Sequence, residues 1–503
     1  MSALVSQGVS APQILAQEAT GIDAALEEYF GPVARAVESV VFYPIPVFGT
    51  EMPIIVLWLV VLGLFFTLWL KFLNVRGMKH AYDLVRGRFT PPDAVGEVSH
   101  FQALSTALAS TVGLGNIAGV AVAITIGGPG AAFWMIVAGF LAMSTKMAEC
   151  MLAVKYRTVH PDGTTSGGPM YYLSRGLAEV GKPRLGRFLA AAWALFMMIA
   201  AIGTNAFQSN QAVAQVVEVS GSGAFGTWLG DNRWLLGLII AVVTGLVILG
   251  GIQAIAKVAG VMVPAMAIIY ILGCLMVLAV NVPAIPGAMV DIVTGAFNPE
   301  GVAGGVIGSL IVGFQRAAFS NSAGIGDAPI AHSTVKTNRP PTEGFVASLE
   351  PFVDTIIVCT MTALVVVVTG VWKGADPEVV NGVTLTSRSF ATVADWFPYV
   401  LAVAVVLFAY STLLSNSFYG MKCFGYLFGD RKTAETVYKV IYLCFTVIGA
   451  AVSLGPIIVF TDSVFFLPAV CNGIGLYVLA KVIRGDFRDY WQKLHAGDFE
   501  RVK

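Results

Sequence analysis

Long apolar stretches alternate with short polar connections along most of the chain. Many of these stretches reach the length of about 20 residues that a helix needs to cross a bilayer. The pattern predicts an all-α polytopic membrane protein with 11 transmembrane helices, which we number as segments 1–11. Their predicted ranges are 53–73, 101–126, 131–154, 187–218, 234–251, 258–281, 303–330, 343–370, 396–424, 434–453 and 456–483.

Two of these segments contain small and polar residues at their centres. Segment 2 carries Ala-Ser-Thr-Val-Gly-Leu-Gly-Asn-Ile-Ala-Gly at 109–119, and segment 7 carries Phe-Ser-Asn-Ser-Ala-Gly-Ile-Gly-Asp at 319–327. Glycine makes a helix easy to unwind, and unwound backbone is tolerated in a membrane only inside protein or beside a wet cavity. Close helix packing is the alternative explanation. A matched pair of broken helices favours a transporter binding site.

Composition supports the membrane assignment. The 503 residues are 56% hydrophobic and 12% charged, whereas soluble domains carry about 25% charged residues. A formal net charge of zero argues against a nucleic-acid partner. The six cysteines are scattered through apolar segments, which is typical of packing residues rather than of a disulfide or metal framework.

The basic residues predict the orientation. With the N-terminus outside, 24 of the 30 lysine and arginine residues fall in or next to cytoplasmic connections or the C-terminal tail, as the positive-inside rule expects. Segments 2–6 and 7–11 then form two five-helix units of opposite orientation, an inverted repeat. The predicted divisions are an extracytoplasmic segment 1–52 with an amphipathic helix near 21–40, an extra helix 53–73, repeats 101–281 and 303–483, and a cytoplasmic tail 484–503. The predicted location is the cell inner (plasma) membrane.

The two breaks would place an anion site and a cation site close together. A half-helix that restarts after Gly113 presents the N–H groups of Gly113, Leu114 and Gly115 to a carboxylate. Carbonyl groups near Phe319 and Ser322 would accept from an ammonium group. The Phe319 ring would close the pocket, unless it serves only in packing.

Each of the other polar side chains in apolar segments is consistent with a functional role and with a structural role. Asn205 and Gln208 share a helix face and would reach the substrate or else bond to another helix. Asp354 and Glu350 are intramembrane acids, which are usually functional, although either could pair structurally. Ser411 and Thr412 would bind a cation or bond back to their own helix. Two further pairs are expected: Arg316 with Asp462 as an outer gate, and Lys146 with Glu149 as a local ion pair.

Residues 105–119, followed by 127–135, resemble the alanine or glycine:cation symporter family. The chain departs from that pattern at Ile136, where a second Trp is usual, so the resemblance does not identify the amino acid that is carried. It implies the fold of the bacterial leucine transporter and sodium-driven uptake. It also implies a sodium site made by carbonyls and hydroxyls of Ala109, Val112, Phe408, Ser411 and Thr412. A second cation site would be formed by Thr111, Asn116, Ser320 and Asp354. Thr111 and Ser320 would also contact the substrate.

The expected function is therefore sodium-coupled symport of alanine and/or glycine by alternating access. Its partners would be the amino acid, sodium and the lipid bilayer, with no cofactor and no obligate protein partner. Proton-coupled or uncoupled amino-acid transport is the alternative, and a channel is a weaker one. No histidine starts a His-Glu zinc motif and no Gly-x-Ser-x-Gly elbow occurs, so an enzyme is not expected.

Overall fold

The computed structural model describes residues 32, 35–47, 50–91, 93–221, 223–298, 305–374, 382–394, 396–429, 431–452, 457, 460, 461, 464–499, 501 and 502. Helices dominate this part of the chain. They are α1 Ile54–Trp69, α2 Leu73–Arg76, α3 Met78–Val85, α4 His100–Thr111, α5 Val120–Gly127, α6 Gly130–Lys155, α7 Pro169–Glu179, α8 Pro183–Val219, α9 Ala224–Asp231, α10 Arg233–Ile248, α11 Gly251–Val280, α12 Ile285–Phe297, α13 Gly305–Asn321, α14 Ala328–His332, α15 Pro340–Ala347, α16 Leu349–Pro351, α17 Thr360–Thr369, α18 Gly382–Ala391, α19 Phe397–Phe428, α20 Lys432–Ala451 and α21 Leu467–Ala496.

Shorter elements connect these helices. Strands β1 Pro44–Val47 and β2 Thr50–Pro53 pair antiparallel ahead of α1, with Pro44 opposite Pro53. Strands β3 Thr158–Val159 and β4 Thr165–Ser166 pair antiparallel after α6. Two π-helices, Gly115–Gly119 and Phe352–Cys359, interrupt longer helices, and a 3₁₀ turn, Val282–Ala284, precedes α12.

Seven of the described helices are long and apolar enough to cross a membrane: α6, α8, α11, the 340–369 helix (Pro340–Thr369, which contains α15 to α17), α19, α20 and α21. The count becomes nine if two bent pairs each form one span. These pairs are α4 with residues 115–127, bent by 56°, and α9 with α10, bent by 71°. A mostly helical architecture with several candidate membrane spans is therefore confirmed, whereas the count of 11 and the inverted repeat stay predictions.

Two predicted boundaries need correction, and one predicted helix lies largely outside the described residues. The connection predicted at 282–302 contains α12, because its sequence is apolar enough to form a helix of its own. The last helix does not end at 483 but continues to Ala496, so most of the predicted tail is helical. The helix expected near 21–40 lies largely outside the described residues, although 35–41 are helical.

Segment 2 breaks where its glycines predict. A capping box of Ser99 and Gln102 starts α4, which ends at Thr111, and Val112 then takes an extended conformation with ψ of 95°. Residues 112–114, the 112–114 break, separate α4 from the π-helix. Gly115 is needed here for contact, since a Cβ at this position would lie 3.3 Å from the Cα of Ser320 on α13.

Segment 7 breaks later than predicted. Phe319, Ser320 and Asn321 are still helical, and α13 ends at Asn321. Residues 322–327, the 322–327 break, then lead to α14. Ser322 (φ 52°), Gly324 (φ 90°) and Gly326 (φ 92°) all adopt positive φ. A serine at positive φ is strained, and such strain is held only where the surrounding structure enforces it.

The start of α4 and the end of α14 are joined by backbone contacts. Val98 and Val335 form a parallel bridge, and the N–H of Lys336 donates to the carbonyl of Val98 at 2.8 Å. The guanidinium of Arg157, just after α6, donates to four carbonyls in the two joined segments, those of Val95, Ser333, Val335 and Thr337. The two broken helices are thus held together at one end.

Candidate substrate and cation sites

The N–H group of Gly113 already has a partner. The side-chain oxygen of Asn116 accepts from it at 2.8 Å, which caps the helix restart in the way that short polar side chains commonly do. Leu114 is buried beside it, with 2% of its surface exposed. A carboxylate can take the N–H of Gly113 only if Asn116 releases it, which the sequence did not predict.

Gln208 on α8 faces the 112–114 break. Its Nε2 lies 3.8 Å from the position that a Cβ on Gly113 would occupy. Its Oε1 is buried and makes no hydrogen bond to any residue that the structure describes. A buried amide oxygen without a partner is costly, so Gln208 is a good candidate for contact with a polar ligand.

Asn205 does not reach the break. Its amide nitrogen donates to the carbonyl of Tyr442 at 2.7 Å, and its oxygen accepts from the hydroxyl of Thr446 at 3.0 Å. Ser209 and Asn210 also bond to α20. The structure thus shows the alternative, bonding between helices, whereas contact of Asn205 with substrate stays a prediction.

Oxygen atoms converge where α19 crosses the end of α4. The hydroxyl of Ser411 donates to the carbonyls of Ala109 at 3.1 Å and Phe408 at 2.8 Å, and that of Thr412 to the carbonyl of Phe408 at 3.0 Å. Thr412 Oγ1 also lies 3.2 Å from the Cβ position of Gly113, next to Val112. Ser411 and Thr412 therefore bond back to their own helix and also lie close to the end of α4. These hard oxygen donors fit sodium, which like calcium and magnesium takes oxygen ligands.

A second polar cluster surrounds Asp354. Asn116 donates from Nδ2 to Asp354 Oδ1 at 2.5 Å and to Ser320 Oγ at 3.0 Å, while Ser320 donates to Asp354 Oδ2 at 2.7 Å. Asp354 is 0% exposed. Thr111 bonds back to the carbonyl of Ala107 at 3.3 Å instead. Three of the four predicted residues therefore meet around one carboxylate.

Two residues of this cluster are not predicted from the sequence. Thr355 donates to Asp354 Oδ2 at 2.8 Å, and Cys359 Sγ lies 3.4 Å from Asn116 Nδ2. The available signal was their position on the same segment as Asp354. Cys359, interpreted as a packing residue, is thus also part of the polar cluster.

Phe319 packs among aromatic rings. Its ring stacks on Phe465 at 5.1 Å between centroids and meets the edge of Phe466 at 4.6 Å. The guanidinium of Arg316 lies 5.8 Å from the Phe319 ring centre. Asp462, its expected gate partner, lies outside the described residues, so the gate stays a prediction. Ser322 is buried at the 322–327 break, where its carbonyl accepts from the N–H of Ile325 at 3.2 Å.

A model of the sodium:alanine symporter family matches residues 37–503. The chain belongs to the sodium:alanine symporter family. It is 40% identical over 422 residues to the sodium/alanine symporter AgcS of Methanococcus maripaludis, a match covering 84% of this chain and 90% of that protein. It is 33% identical over 438 residues to GlnT of Bacillus subtilis, described as a probable sodium/glutamine symporter, covering 86% and 87% respectively.

The fold comparison agrees with the family. The chain is similar in structure to MhsT, solved in complex with L-phenylalanine, with a TM-score of 0.54 at 16% identity, covering 76% of this chain and 89% of MhsT. This likeness supports the expected leucine-transporter fold. The curated relatives are symporters rather than enzymes, and this member of the sodium:alanine symporter family is a multi-pass membrane transporter.

One prediction about charge is wrong for this sodium:alanine symporter family member. Lys146 does not pair with Glu149, one helical turn away. Its Nζ lies 3.1 Å from Glu350 Oε1 and 3.4 Å from Asp327 Oδ1. Glu149 instead accepts from the N–H of Gly324 at 3.0 Å.

Proposed function

We propose that this transporter couples the entry of sodium to the uptake of a small neutral amino acid, alanine and/or glycine, by alternating access. The observation that carries the proposal is the convergence of Ala109, Phe408, Ser411 and Thr412 at the 112–114 break. A coupling ion bound there would hold α19 against the broken helix. Binding of this ion would therefore depend on the position of α19 relative to the broken helix.

The proposed membrane arrangement has 11 helices, with segments 2–6 and 7–11 as an inverted repeat and segment 1 outside it. Two breaks of similar character, one in each proposed repeat, support this plan. The distribution of basic residues supports an outside N-terminus and a cytoplasmic C-terminus in the cell inner membrane.

The proposed substrate site lies between the two breaks. Its carboxylate would bind the N–H groups of Gly113, Leu114 and Gly115 after Asn116 has turned away from Gly113. The ammonium group would bind carbonyl groups at the end of α13, near Phe319 and Ser322. Gln208, Thr111 and Ser320 would complete the polar wall.

Asn116 would then link substrate and ion. In the structure its amide oxygen holds Gly113 and its nitrogen holds Asp354. A cation at the second site would attract the amide oxygen instead, which frees the N–H of Gly113 for a carboxylate. Substrate and cation would in this way favour each other's binding, as coupled transport requires.

The driving force is adequate for one sodium ion. An ion crossing 100 mV supplies about 2.3 kcal/mol, and a tenfold gradient adds about 1.4 kcal/mol. A zwitterion adds no net charge, so about 3.7 kcal/mol would concentrate it roughly 500-fold.

The test is uptake of labelled L-alanine and glycine into proteoliposomes of the purified protein, with an inward sodium gradient compared with equal potassium or choline. Sodium-dependent accumulation above equilibrium supports the proposal. Equal uptake without sodium favours proton-coupled or uncoupled transport, and conductance without accumulation favours a channel.

A further inference from the structure

Four ionisable side chains meet beside the 322–327 break. Lys146 on α6 lies within ion-pair distance of Glu350 at 3.1 Å and of Asp327 at 3.4 Å. Glu149 lies one turn further along α6. The exposed fractions are 0% for Lys146, Glu149 and Glu350, and 3% for Asp327. One lysine therefore faces three carboxyl groups in a place that water does not reach.

Glu149 is the carboxyl of this cluster that lies outside ion-pair distance of Lys146, whose close partners are Glu350 and Asp327. Its Oε1 accepts from two neutral donors, the N–H of Gly324 at 3.0 Å and the amide of Asn472 at 2.6 Å. Its Oε2 is buried and has no hydrogen-bond partner within the described ranges. An ionised carboxylate buried without a countercharge is strongly disfavoured, and such a group neutralises instead. The partnerless oxygen is the place where a proton would sit.

The same carboxyl holds the backbone of the break. Glu149 takes the N–H of Gly324, while Asn472 donates both to the carbonyl of Gly324 at 2.8 Å and to Glu149. Asn472 is itself fixed by the hydroxyl of Tyr172 at 2.5 Å. Both polar backbone groups of Gly324 thus depend on one pair of side chains, which connect α6 and α21.

We propose that Glu149 is a proton-binding site and that its proton controls the mobility of the 322–327 break during transport. The inference rests on the symport function proposed above. Hydrogen bonds to an ionised carboxylate are about twice as strong as those between neutral groups. Loss of the proton from Oε2 tightens the hold on Gly324 and slows the transition between states. Uptake of the proton loosens the hold and lets the break move.

The neighbouring groups have other partners. Glu350 and Asp327 share Lys146, and Glu343 contacts the imidazoles of both His100 and His332. The titratable groups that surround Glu149 and its cluster are Lys146, Cys150, Tyr172, Asp327, His332, Glu343, Glu350, Asp354 and Tyr419. Glu350 is the main competitor as proton carrier, because its Oε2 makes no hydrogen bond to a described residue.

The experiment measures sodium-driven alanine uptake as a function of pH, with equal pH on both sides of the liposome membrane. Wild-type uptake should fall as pH rises, approaching about tenfold per pH unit well above the midpoint, as for a single proton. Glu149→Gln, which cannot ionise, should remove this decline. Glu179→Gln is the matched control, since Glu179 is exposed on α7, and it should follow the wild type.

Two further variants and one measurement keep the inference testable. Glu149→Asp should retain a pH dependence with a shifted midpoint, and Glu350→Gln should also retain a pH dependence. Infrared difference spectra of the purified wild-type protein after a pH jump should show a protonated carboxyl band that Glu149→Gln lacks. A wild-type pH profile in Glu149→Gln, loss of the profile in Glu350→Gln alone, or an unchanged carboxyl band in Glu149→Gln would each overturn the proposal.

The infrared measurement needs no substrate. If it locates the proton on Glu149 while the wild type takes up no amino acid, the proposed substrate is wrong and the proton site stands. If uptake is driven by sodium but no band belongs to Glu149, the symport function stands and the proton site is wrong.

Discussion

The hydroxyl of Ser411 on α19 donates a hydrogen bond of 3.1 Å to the carbonyl of Ala109 in the last turn of α4. Carbonyls in the last turn of a helix lack partners within that helix. The bond therefore joins the broken helix to α19 at the point where its oxygens become available to an ion.

Ser415, one turn further along α19, offers a matched control for Ser411. Its hydroxyl donates to the carbonyl of Thr106 at 2.9 Å, and both serines are 0% exposed. Ser411→Ala should weaken the apparent sodium affinity about tenfold, equivalent to about 1.4 kcal/mol, while Ser415→Ala should leave it unchanged. Sodium titrations of alanine uptake measure both values. Equal affinities in the two variants would place sodium elsewhere.

Replacing Asp354 with Asn separates a binding role from a structural one. The amide keeps the shape and one acceptor for Asn116 and Ser320 but removes the charge. Uptake should fall at least about tenfold, with a thermal unfolding temperature within a few degrees of the wild type. Asp486→Asn is the control, because Asp486 forms a partly exposed pair with Lys155. Unfolding of the Asp354 variant with no folded fraction would show that the carboxylate is structural.

Gln208 and Asn205 should respond differently to substitution although they are three residues apart. Gln208→Ala should raise the KM for alanine with little effect on stability, because its Oε1 has no described partner to lose. Asn205→Ala should lower stability by about 1–3 kcal/mol, since it leaves groups of α20 without partners. Uptake kinetics and thermal unfolding in detergent distinguish them. A stability loss confined to Gln208 would contradict both assignments.

Lys146 should be far more important for folding than Lys155, the last residue of α6. Lys146→Met leaves Asp327 and Glu350 buried without a cation and should cost about 3–5 kcal/mol. Lys155 pairs with Asp486 at 2.6 Å, and each side chain is about 30% exposed, so Lys155→Met should cost less than about 1 kcal/mol. Unfolding temperatures of the two variants test the difference. Similar values would mean that the buried cluster adds little to stability.

The local sequence predicts the structure well where the backbone preferences of the residues determine where a helix is interrupted. The glycines of the 112–114 and 322–327 breaks interrupt helices for reasons contained in the residues themselves. The family resemblance also placed Ala109, Phe408, Ser411 and Thr412 together. The observed break begins at Ser322, three residues after the start of the 319–327 stretch that the sequence singles out.

The sequence by itself determined the membrane class, the helical architecture and the places where helices break, because these follow from apolar length and glycine content. Only the tertiary structure decided which partner each buried polar group finds. Lys146 was assigned to Glu149, its neighbour along the helix, whereas it meets Asp327, 181 positions away. Asn205 likewise meets Tyr442, 237 positions away. A buried polar group takes the partner that helix packing brings to it, and that packing depends on the whole chain.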